Sequence, residues 1–326
     1  MTDELVGRWY KDKKVLITGG AGFIGSHLAE VLVRNGAHVR IVDDLSAGSL
    51  QNILDYRSLV EFQQSDLREE GVAAKCLDGI EVVFHLAANA SVPHSVNNPR
   101  EDFSRNVYGT FNLLEAARDC EVQSIVVASS GAVYGQPDRF PIVETDMIRP
   151  ISPYGASKAA VEATCQAFNA SYGVPITIAR IFNTYGPRQP RFVMYDFYRK
   201  LRQNPARLDI LGDGRQIRDY CFVADTVEAL IQLGRLDFSV CEVFNVSSGQ
   251  SYSVVDVARA MVDIMGLGDV EFCFTGESWA GDAQRWEVSI EKLTSVTGYQ
   301  PSCDLYTGLR CFVEWFDAHP ERISTG

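Results

Sequence analysis

The stretch Lys14-Val15-Leu16-Ile17-Thr18-Gly19-Gly20-Ala21-Gly22-Phe23-Ile24-Gly25 decides the fold. A short apolar run of strand type leads directly into three glycines, Gly19, Gly22 and Gly25, spaced as G-x-x-G-x-x-G. Glycine is needed where a chain turns tightly and its backbone approaches a ligand with no side chain between. A helix that begins there offers free N–H groups and a positive dipole end to an anion. The stretch therefore predicts a phosphate-binding turn between a strand and a helix.

The residues after the turn continue this pattern. Leu28, Val31 and Leu32 share one face of a helix predicted over 26–35, and Gly36 suits the position just past its end. A second strand, predicted over 38–42, leads into Asp43. A carboxylate at that place accepts hydrogen bonds from the adenosine ribose and repels a 2′-phosphate, which favours NAD over NADP. The alternative is that Asp43 or Asp44 is an ordinary turn acid.

The rest of the chain alternates strands with helices. Such alternation is typical of an α/β protein, and we expect a Rossmann-type doubly wound parallel sheet with a smaller C-terminal α/β substrate lobe. The working division is a cofactor domain over 1–175 and a substrate lobe over 176–326, with segments interleaved with the first domain. Further strands are predicted over 82–86, 124–128 and 175–182, and helices over 103–118, 153–172, 192–203, 225–234, 253–265 and 305–318.

Composition restricts the class of partner. The 326 residues include 30 Lys and Arg against 42 Asp and Glu, a net charge of −12, which argues against nucleic acid or an anionic membrane surface. Residues 1–14 contain no apolar core of a signal peptide, and no run reaches the ~20 apolar residues of a membrane span. The eight cysteines form no C-x-x-C pair. We expect reduced, buried thiols in a cytoplasmic protein with no metal site; a structural metal or a disulfide set is the alternative.

A second motif carries the chemistry. Tyr154 and Lys158 lie at i and i+4, on one face of the helix predicted after Pro153. A phenol normally titrates near ~10, and a neighbouring ammonium together with the cationic nicotinamide ring would favour the phenolate. Ser129 and Ser130 end the preceding strand, where a hydroxyl can hold a substrate oxygen. This predicts a tyrosine base, a lysine that tunes it and anchors the ribose, and a serine that orients the substrate.

With these motifs in place, the chain resembles the extended short-chain dehydrogenase/reductases, specifically the NAD-dependent nucleotide-sugar epimerases and dehydratases. The resemblance covers nearly the whole length. Besides the glycine turn and the Tyr/Lys pair, it rests on Asp66-Leu67, His85-Leu86-Ala87-Ala88, Asn106, the run from Ser129 to Gly135, the run from Arg180 to Arg188, and the run from Gly212 to Tyr220.

The resemblance implies a role for each matching position. The residues that would hold NAD are Gly19, Gly22, Phe23, Ile24, Gly25, Asp43, Asp66, Leu67, Ala87, Ala88, Asn106, Tyr154 and Lys158. Catalysis would fall to Tyr154, Lys158 and Ser130. The sugar nucleotide would meet Ser130, Asn183, Arg218 and Trp286, with Arg188 and Arg191 assisting. Asn106 would sit near the lysine and a structural water, and Arg218 would clamp the diphosphate with its guanidinium fork.

The residues after the catalytic serine bear on the reaction. Dehydratases and decarboxylases of this family carry an acid there, whereas this chain has Gly131 and Ala132. The remaining set suffices for 4-epimerisation with tightly bound NAD, and a UDP-hexose is the expected substrate, with GDP, dTDP or CDP sugars as alternatives. Trp286 falls on the position that gates sugar size, with packing as the alternative. The stretch Trp279-Ala280-Gly281-Asp282 lacks an expected phosphate contact, which Arg285 would then supply.

Other functions stay open. Cys221, His94 or Glu144 would supply an additional proton if the chain were instead a dehydratase, a 3,5-epimerase or a 4-keto reductase. A catalytically silent NAD-binding scaffold is a further alternative, although such relatives usually lose the Tyr or the Lys. The resemblance also suggests a homodimer formed through the helices around 103–118 and 153–172.

Overall fold

The structure, a computed structural model, describes residues 8–236, 240–276 and 283–323. The strands are β1 Lys14–Thr18, β2 His38–Asp43, β3 Glu61–Gln64, β4 Val82–His85, β5 Ser124–Ser130, β6 Ile176–Ile181, β7 Asn183–Tyr185, β8 Arg207–Ile210, β9 Ile217–Phe222, β10 Glu242–Val246, β11 Ser251–Ser253 and β12 Glu271–Phe274. The helices are α1 Phe23–Arg34, α2 Val72–Leu77, α3 Val92–Asn97, α4 Pro99–Phe103, α5 Gly109–Ala117, α6 Pro153–Tyr172, α7 Phe192–Gln203, α8 Val223–Leu233, α9 Val254–Ile264, α10 Glu291–Thr297 and α11 Leu305–Ala318. Segments of 3₁₀-helix occupy Leu50–Leu59, Gly131–Tyr134 and Pro320–Arg322, and a π-helical segment, Ser104–Tyr108, joins α4 to α5.

Seven parallel strands form the central sheet in the order β10-β6-β5-β4-β1-β2-β3. Apolar side chains on α1 and α8 pack on one face of this sheet, and those on α2, α5 and α6 pack on the other. The strand order reverses between β1 and β4, so the carboxyl ends of both strands border a crevice where ligands bind in such sheets. The predicted doubly wound parallel sheet is therefore confirmed.

The smaller lobe has its own core. It contains a three-stranded sheet, β11-β9-β7, and a two-stranded sheet, β12-β8. Helices α7, α9 and α11 enclose a cluster of buried side chains that includes Tyr198, Met261, Phe312 and Phe316. Strands β6 and β10, which follow residue 175, pair within the large sheet, so the chain crosses between the two parts more than once. The domain boundary itself stays a prediction.

Several predicted boundaries shift. The helix predicted over 103–118 begins earlier, at Pro99, a residue suited to a first helical position, and contains the π segment. The strand predicted over 124–128 continues to Ser130. Helices α2 and α3 and the short strands of the lobe were not predicted, because elements of three to six residues are too short to show a period.

The glycine turn is packed without spare room. Gly19 has φ +69°, and a Cβ there would lie 2.8 Å from the backbone nitrogen of Ala87. A Cβ on Gly25 would lie 2.3 Å from the Gly19 carbonyl oxygen. Gly19 and Gly25 are therefore required by close approach of neighbouring backbone.

The sequence expectations about membrane spans, metal sites and cysteines can be compared with the described residues. No helix there is long and apolar enough to cross a membrane. No group of three His, Cys, Asp or Glu side chains in that part of the chain is arranged to hold a metal ion. All eight cysteines carry free thiols, but only Cys76, Cys165 and Cys221 are buried, which corrects the expectation that they would be core residues throughout.

The packing of the turn predicts the effect of a methyl group. We expect Gly25→Ala to lower the free energy of unfolding by ~1–3 kcal/mol, because the new Cβ collides with backbone that cannot move aside. Gly268→Ala is the matched control, since a Cβ at Gly268 meets nothing within 4 Å. Denaturant unfolding of both variants measures the difference. Equal stability of the two would contradict the close packing of the turn.

Candidate functional site

A cavity of about 830 Å³ lies at the carboxyl ends of the parallel strands. One end is lined by the glycine turn, Asp43 and Asp66, and we call it the cofactor end. Tyr154 and Lys158 line its middle, and the other end reaches the residues of the smaller lobe around Arg218. The cavity therefore runs from the phosphate-binding turn, past the Tyr/Lys pair, into the second lobe.

The start of α1 is built to receive an anion. The helix begins after Gly22, and no side chain caps its first N–H groups. Gly22 lines the cavity, and a Cβ there would meet only the Gly19 carbonyl oxygen, at 3.1 Å. Uncapped N–H groups at a bare helix N-terminus suit a pyrophosphate. Phe23, Ile24 and Gly25, which follow in the first turn, line the cavity as well.

The structure distinguishes the two acids after β2. Asp43 is buried and accepts hydrogen bonds from the amides of Ala21, at 3.0 Å, and Leu45, at 2.8 Å. Burial raises the pKa of the Asp43 carboxyl, and these amides oppose the rise. The Asp44 carboxylate is instead held by Arg105, at 2.7 Å. Asp43 is thus the acid fixed by the turn, with lone pairs left for a ligand.

The remaining residues expected near the cofactor also reach the cavity, with one exception described below. Asp66, Leu67, Ala87 and Ala88 line it. The Asp66 carboxylate is not free, because Arg68 approaches it to 2.6 Å in a partly exposed ion pair. Leu67 is buried. This side of the cavity is therefore formed mainly by backbone and small side chains.

His85 is a structural link, not an acid or base. Its ring lies between the hydroxyl oxygens of Thr18, at 2.7 Å, and Thr110, at 2.8 Å. Burial lowers the pKa of His85 to about 3, so the ring is neutral at pH 7. The Thr110 hydroxyl donates to the Asn106 carbonyl, so it accepts from Nε2–H of His85. The chain of hydrogen bonds ties β1 and β4 to the π segment.

The Tyr/Lys pair is held at the start of α6. The Ser152 hydroxyl caps the helix by accepting from the Gly155 amide at 3.1 Å, and Pro153 occupies the first turn. Ser130 lines the cavity beside Tyr154, and its side chain acts to lower the pKa of the Tyr154 hydroxyl. The neighbouring Ser129 hydroxyl is occupied, because it donates to Glu162 at 2.5 Å. Ser130 is therefore the serine that the structure brings to the tyrosine.

Burial acts on both members of this pair. It raises the pKa of Tyr154 to about 12, and the neighbouring Ser130 side chain offsets only part of that rise. Burial also lowers the pKa of Lys158 to about 8, and its Nζ donates to the Ala128 carbonyl at 2.9 Å. Lys158 alone therefore does not produce a phenolate, because the dry surroundings penalise the charged ring more strongly.

A buried carboxylate beneath α6 was missed by the sequence analysis. Asp102 is fully buried and accepts hydrogen bonds from Ser157, at 2.7 Å, and from the side chain of Asn89, at 2.8 Å. Asn106 donates to Ser157 at 2.9 Å and to Asp102 at 3.3 Å. Asn106 is itself fully buried, which corrects the expected direct contact with the cofactor. It positions the turn that carries Tyr154 and Lys158.

The substrate end is formed by Arg218, Trp286 and Asn183, as predicted. The Arg218 guanidinium lies 5.2 Å above the Trp286 ring and donates to the carbonyls of Ile217 and Ala283. Trp286 packs edge-on against Phe182, with ring centroids 5.8 Å apart. Trp286 therefore packs against Phe182 and also lines the cavity, and its role as a gate of sugar size stays a prediction.

Arg285, the predicted replacement for the missing phosphate contact, is held by other residues. Residues 279–282 lie outside the described residues. Arg285 is bound to Glu287 at 2.6 Å and lies over the Phe140 ring, at 4.6 Å from its centroid. The structure therefore does not bring Arg285 to the cavity as the predicted replacement.

Arg188 and Arg191 line the cavity at its cofactor end, not beside Arg218. The Arg188 guanidinium lies 2.5 Å from the Glu30 carboxylate on α1. The Arg191 guanidinium donates to the Ala47 carbonyl at 3.4 Å. Both contacts correct the expectation of direct assistance at the sugar diphosphate, because the chain between β7 and α7 crosses to the other domain.

The groups that would serve a different reaction lie elsewhere. Cys221 is fully buried and contacts Tyr299, Glu144 accepts from the Asn245 amide, and His94 is exposed on α3. At the position after the catalytic serine, a Cβ on Gly131 would lie 2.4 Å from the Phe182 ring. An acidic side chain does not fit there, because the ring occupies the space.

The low pKa of Lys158 has a measurable consequence. The unfolded lysine binds its proton below about 10.5, whereas the folded one does so only below about 8. Between these values the unfolded state holds more protons, so this residue makes the protein more stable as pH rises. We expect the unfolding free energy of wild type, minus that of Lys158→Met, to increase between these two pH values. A difference that is flat or falling over the same range would contradict the burial of the ammonium.

Comparison with known proteins agrees with this geometry. The sequence signature of the NAD dependent epimerase/dehydratase family matches residues 15–247. A putative UDP-glucose 4-epimerase of Methanocaldococcus jannaschii is 38% identical over 312 residues, which cover 92% of this chain and 97% of that protein.

Solved structures share the fold throughout. An epimerase of Methanothermobacter thermautotrophicus superposes with a TM-score of 0.92 at 32% identity, covering 98% of this chain and 97% of that one. A UDP-glucose 4-epimerase of Thermotoga maritima with UDP-glucose superposes with a TM-score of 0.88 at 33% identity, covering 94% of this chain and 99% of that one. The chain belongs to the NAD-dependent epimerase/dehydratase family of nucleotide-sugar enzymes, and NAD is its cofactor.

Proposed function

We propose that this protein is a nucleotide-sugar 4-epimerase that acts on a UDP-hexose. The observation that carries the proposal is the small set of groups beside the middle of the cavity: Tyr154, Lys158 and Ser130. Where related dehydratases carry an acid, Gly131 packs against Phe182. Removal of water or carbon dioxide from a sugar needs more acid–base groups than this set contains, whereas 4-epimerisation needs one.

Each of the three residues has a defined task. The Tyr154 phenolate would take the proton of the C4 hydroxyl and later return it, and Ser130 would orient the same oxygen. Bound NAD supplies a hydride acceptor and, through its cationic ring, part of the charge that lowers the raised pKa of Tyr154. The Lys158 ammonium supplies the rest and anchors the ribose. Because oxidation at C4 is reversed in the same site, the reaction has no net redox change.

The substrate end suits a diphosphate linked to a sugar and a base. The Arg218 guanidinium is held flat by the Trp286 ring, so its fork is oriented before the ligand arrives. Apolar residues of α7 and the lobe, among them Val193, Leu211 and Val254, line the same region and suit a nucleobase. The names of the similar proteins favour uridine as that base.

A further assignment of this proposal concerns the cofactor. Asp43 and the uncapped start of α1 hold the adenosine ribose and pyrophosphate of NAD.

The proposal also includes an assembly. The protein forms a homodimer through α5 and α6, because this face exposes large apolar side chains. These include Phe103, Tyr108, Phe111 and Tyr172, each at least 38% exposed. Burial of such a patch against a second copy is the expected outcome.

Removal of one hydroxyl tests the base. We expect Tyr154→Phe to reduce interconversion of UDP-glucose and UDP-galactose by about 10²–10⁴-fold, the usual contribution of a general acid–base group. Bound NAD, measured after denaturation by mass spectrometry, should be unchanged. Tyr306→Phe is the matched control on an exposed surface. If Tyr154→Phe keeps activity within about tenfold, ~1.4 kcal/mol of barrier, Tyr154 is not the base.

The dimer is tested by mass in solution. Light scattering should give twice the mass of one chain for the wild type. We expect Phe103→Glu to shift the mass toward the monomer, because a charge would be buried at the interface. Val296→Glu, at a comparably exposed apolar position on α10, is the control. A monomeric wild type would refute the interface.

A further inference from the structure

We infer that Glu30 is a positioning residue for the cofactor. With Arg188 it holds residues 187–192, called the strap below, across the cofactor end of the cavity. Glu30 lies on the second turn of α1, and nothing in the glycine motif or the Tyr/Lys motif marks it. The strap leaves the smaller lobe after β7 and returns to it at α7, so it is a crossing between the two parts of the molecule.

The strap is held in an unfavourable backbone conformation. Arg188 and Phe192 have φ angles of +67° and +66°, in the left-handed region that residues with a Cβ seldom adopt. Each of these conformations is unfavourable, and contacts elsewhere must offset its cost. The Gln189 side chain fixes the inner side of the strap by donating to the Thr184 carbonyl at 2.7 Å. The conformation therefore depends on what the outer side contacts.

The outer side contacts α1 at two points. The Arg188 guanidinium meets the Glu30 carboxylate at 2.5 Å, and their side chains are only 11% and 16% exposed. The His27 ring donates from Nε2 to the Pro187 carbonyl at 2.9 Å. Burial, reinforced by the nearby Arg188 charge, lowers the pKa of His27 to about 4, so the ring stays neutral at pH 7. The strap is thus fixed to the helix whose N-terminus receives the pyrophosphate.

A second set of contacts closes the same end. Arg191 donates to the Ala47 carbonyl, and Arg322, from the end of the described chain, donates to Asn52 and to Gln51. Asn52 in turn donates to the Ala21 carbonyl in the glycine turn, at 2.8 Å. The adenosine side of the cavity is therefore bordered by both parts of the molecule.

This geometry points to retention of the cofactor. A dinucleotide seated between the glycine turn and the strap leaves only when the strap moves, and the largely buried Glu30–Arg188 ion pair joins the strap to α1. Removing one partner of a partly buried ion pair costs more stability than removing one partner of a pair on the surface. An enzyme that reoxidises its own NADH in each turnover benefits from slow release of the dinucleotide, a point that rests on the proposed function.

Release of NADH tests the inference without any sugar. The holoenzyme is loaded with NADH, excess NAD is added, and the loss of bound NADH fluorescence gives the release rate. We expect Glu30→Gln to accelerate release about tenfold, Arg188→Gln to do the same, and the double variant to be no faster than the faster single one. The melting temperature of the NAD-free protein is measured in parallel and should change little.

Arg34→Gln is the matched control. Arg34 also pairs with Glu30, at 2.5 Å, but its side chain is 74% exposed and does not touch the strap. We expect release from this variant at the wild-type rate. The inference is overturned if Glu30→Gln releases NADH no faster than Arg34→Gln. It is also overturned if only Arg188→Gln accelerates release, because Arg188 would then act on the cofactor directly. Absence of epimerase activity in the wild type would refute the proposed function, but it would leave the NADH release rates unaffected.

Discussion

The buried ion pair between Glu162 and Arg180 is the contact on which the rest of the site depends. The two side chains are 1% and 4% exposed and lie 2.7 Å apart, joining α6 to β6. Glu162 also accepts from Ser129, so the neighbouring Ser130 is turned toward Tyr154 on the same helix. Arg180 also donates to Tyr134, which in turn donates to Asn245 on β10. An uncompensated charge at this depth is costly, so the pair holds helix and sheet in one arrangement.

The sequence predicted those parts of the site that local chemistry dictates. The glycine turn needs close backbone approach, and Tyr154 and Lys158 follow from helical spacing, so both could be identified without a structure. Asp102 and Glu30 could not, because each acts through partners that are distant along the chain. The position of Arg188 was missed for the same reason, because residue spacing does not predict where a segment that crosses between the two parts of the molecule lies. Nor does spacing report burial, which sets the pKa of Tyr154.

The negative charge of the whole molecule has little influence on its ligands. Although the net charge is −12, the cavity offers anions a bare helix N-terminus at one end and Arg218 at the other. Each is short-ranged and fixed in place, so it acts on a pyrophosphate and not on an extended polyanion. Asp43 lines the cofactor end of the cavity, at the position where the sequence predicted an acid for the ribose. The net charge thus argues against extended polyanions as partners, while local geometry selects the ligands.

The central claim is that one cavity oxidises C4 and returns the same hydride to that carbon. The most direct test uses UDP-glucose deuterated at C4 in ordinary water, and unlabelled UDP-glucose in D2O, with both products examined by NMR. The account predicts that the label stays on C4 of the UDP-galactose formed in the first reaction, and that no carbon-bound deuterium enters the sugar in the second. Loss of the C4 label, or deuterium at C3, C5 or C6, would contradict it.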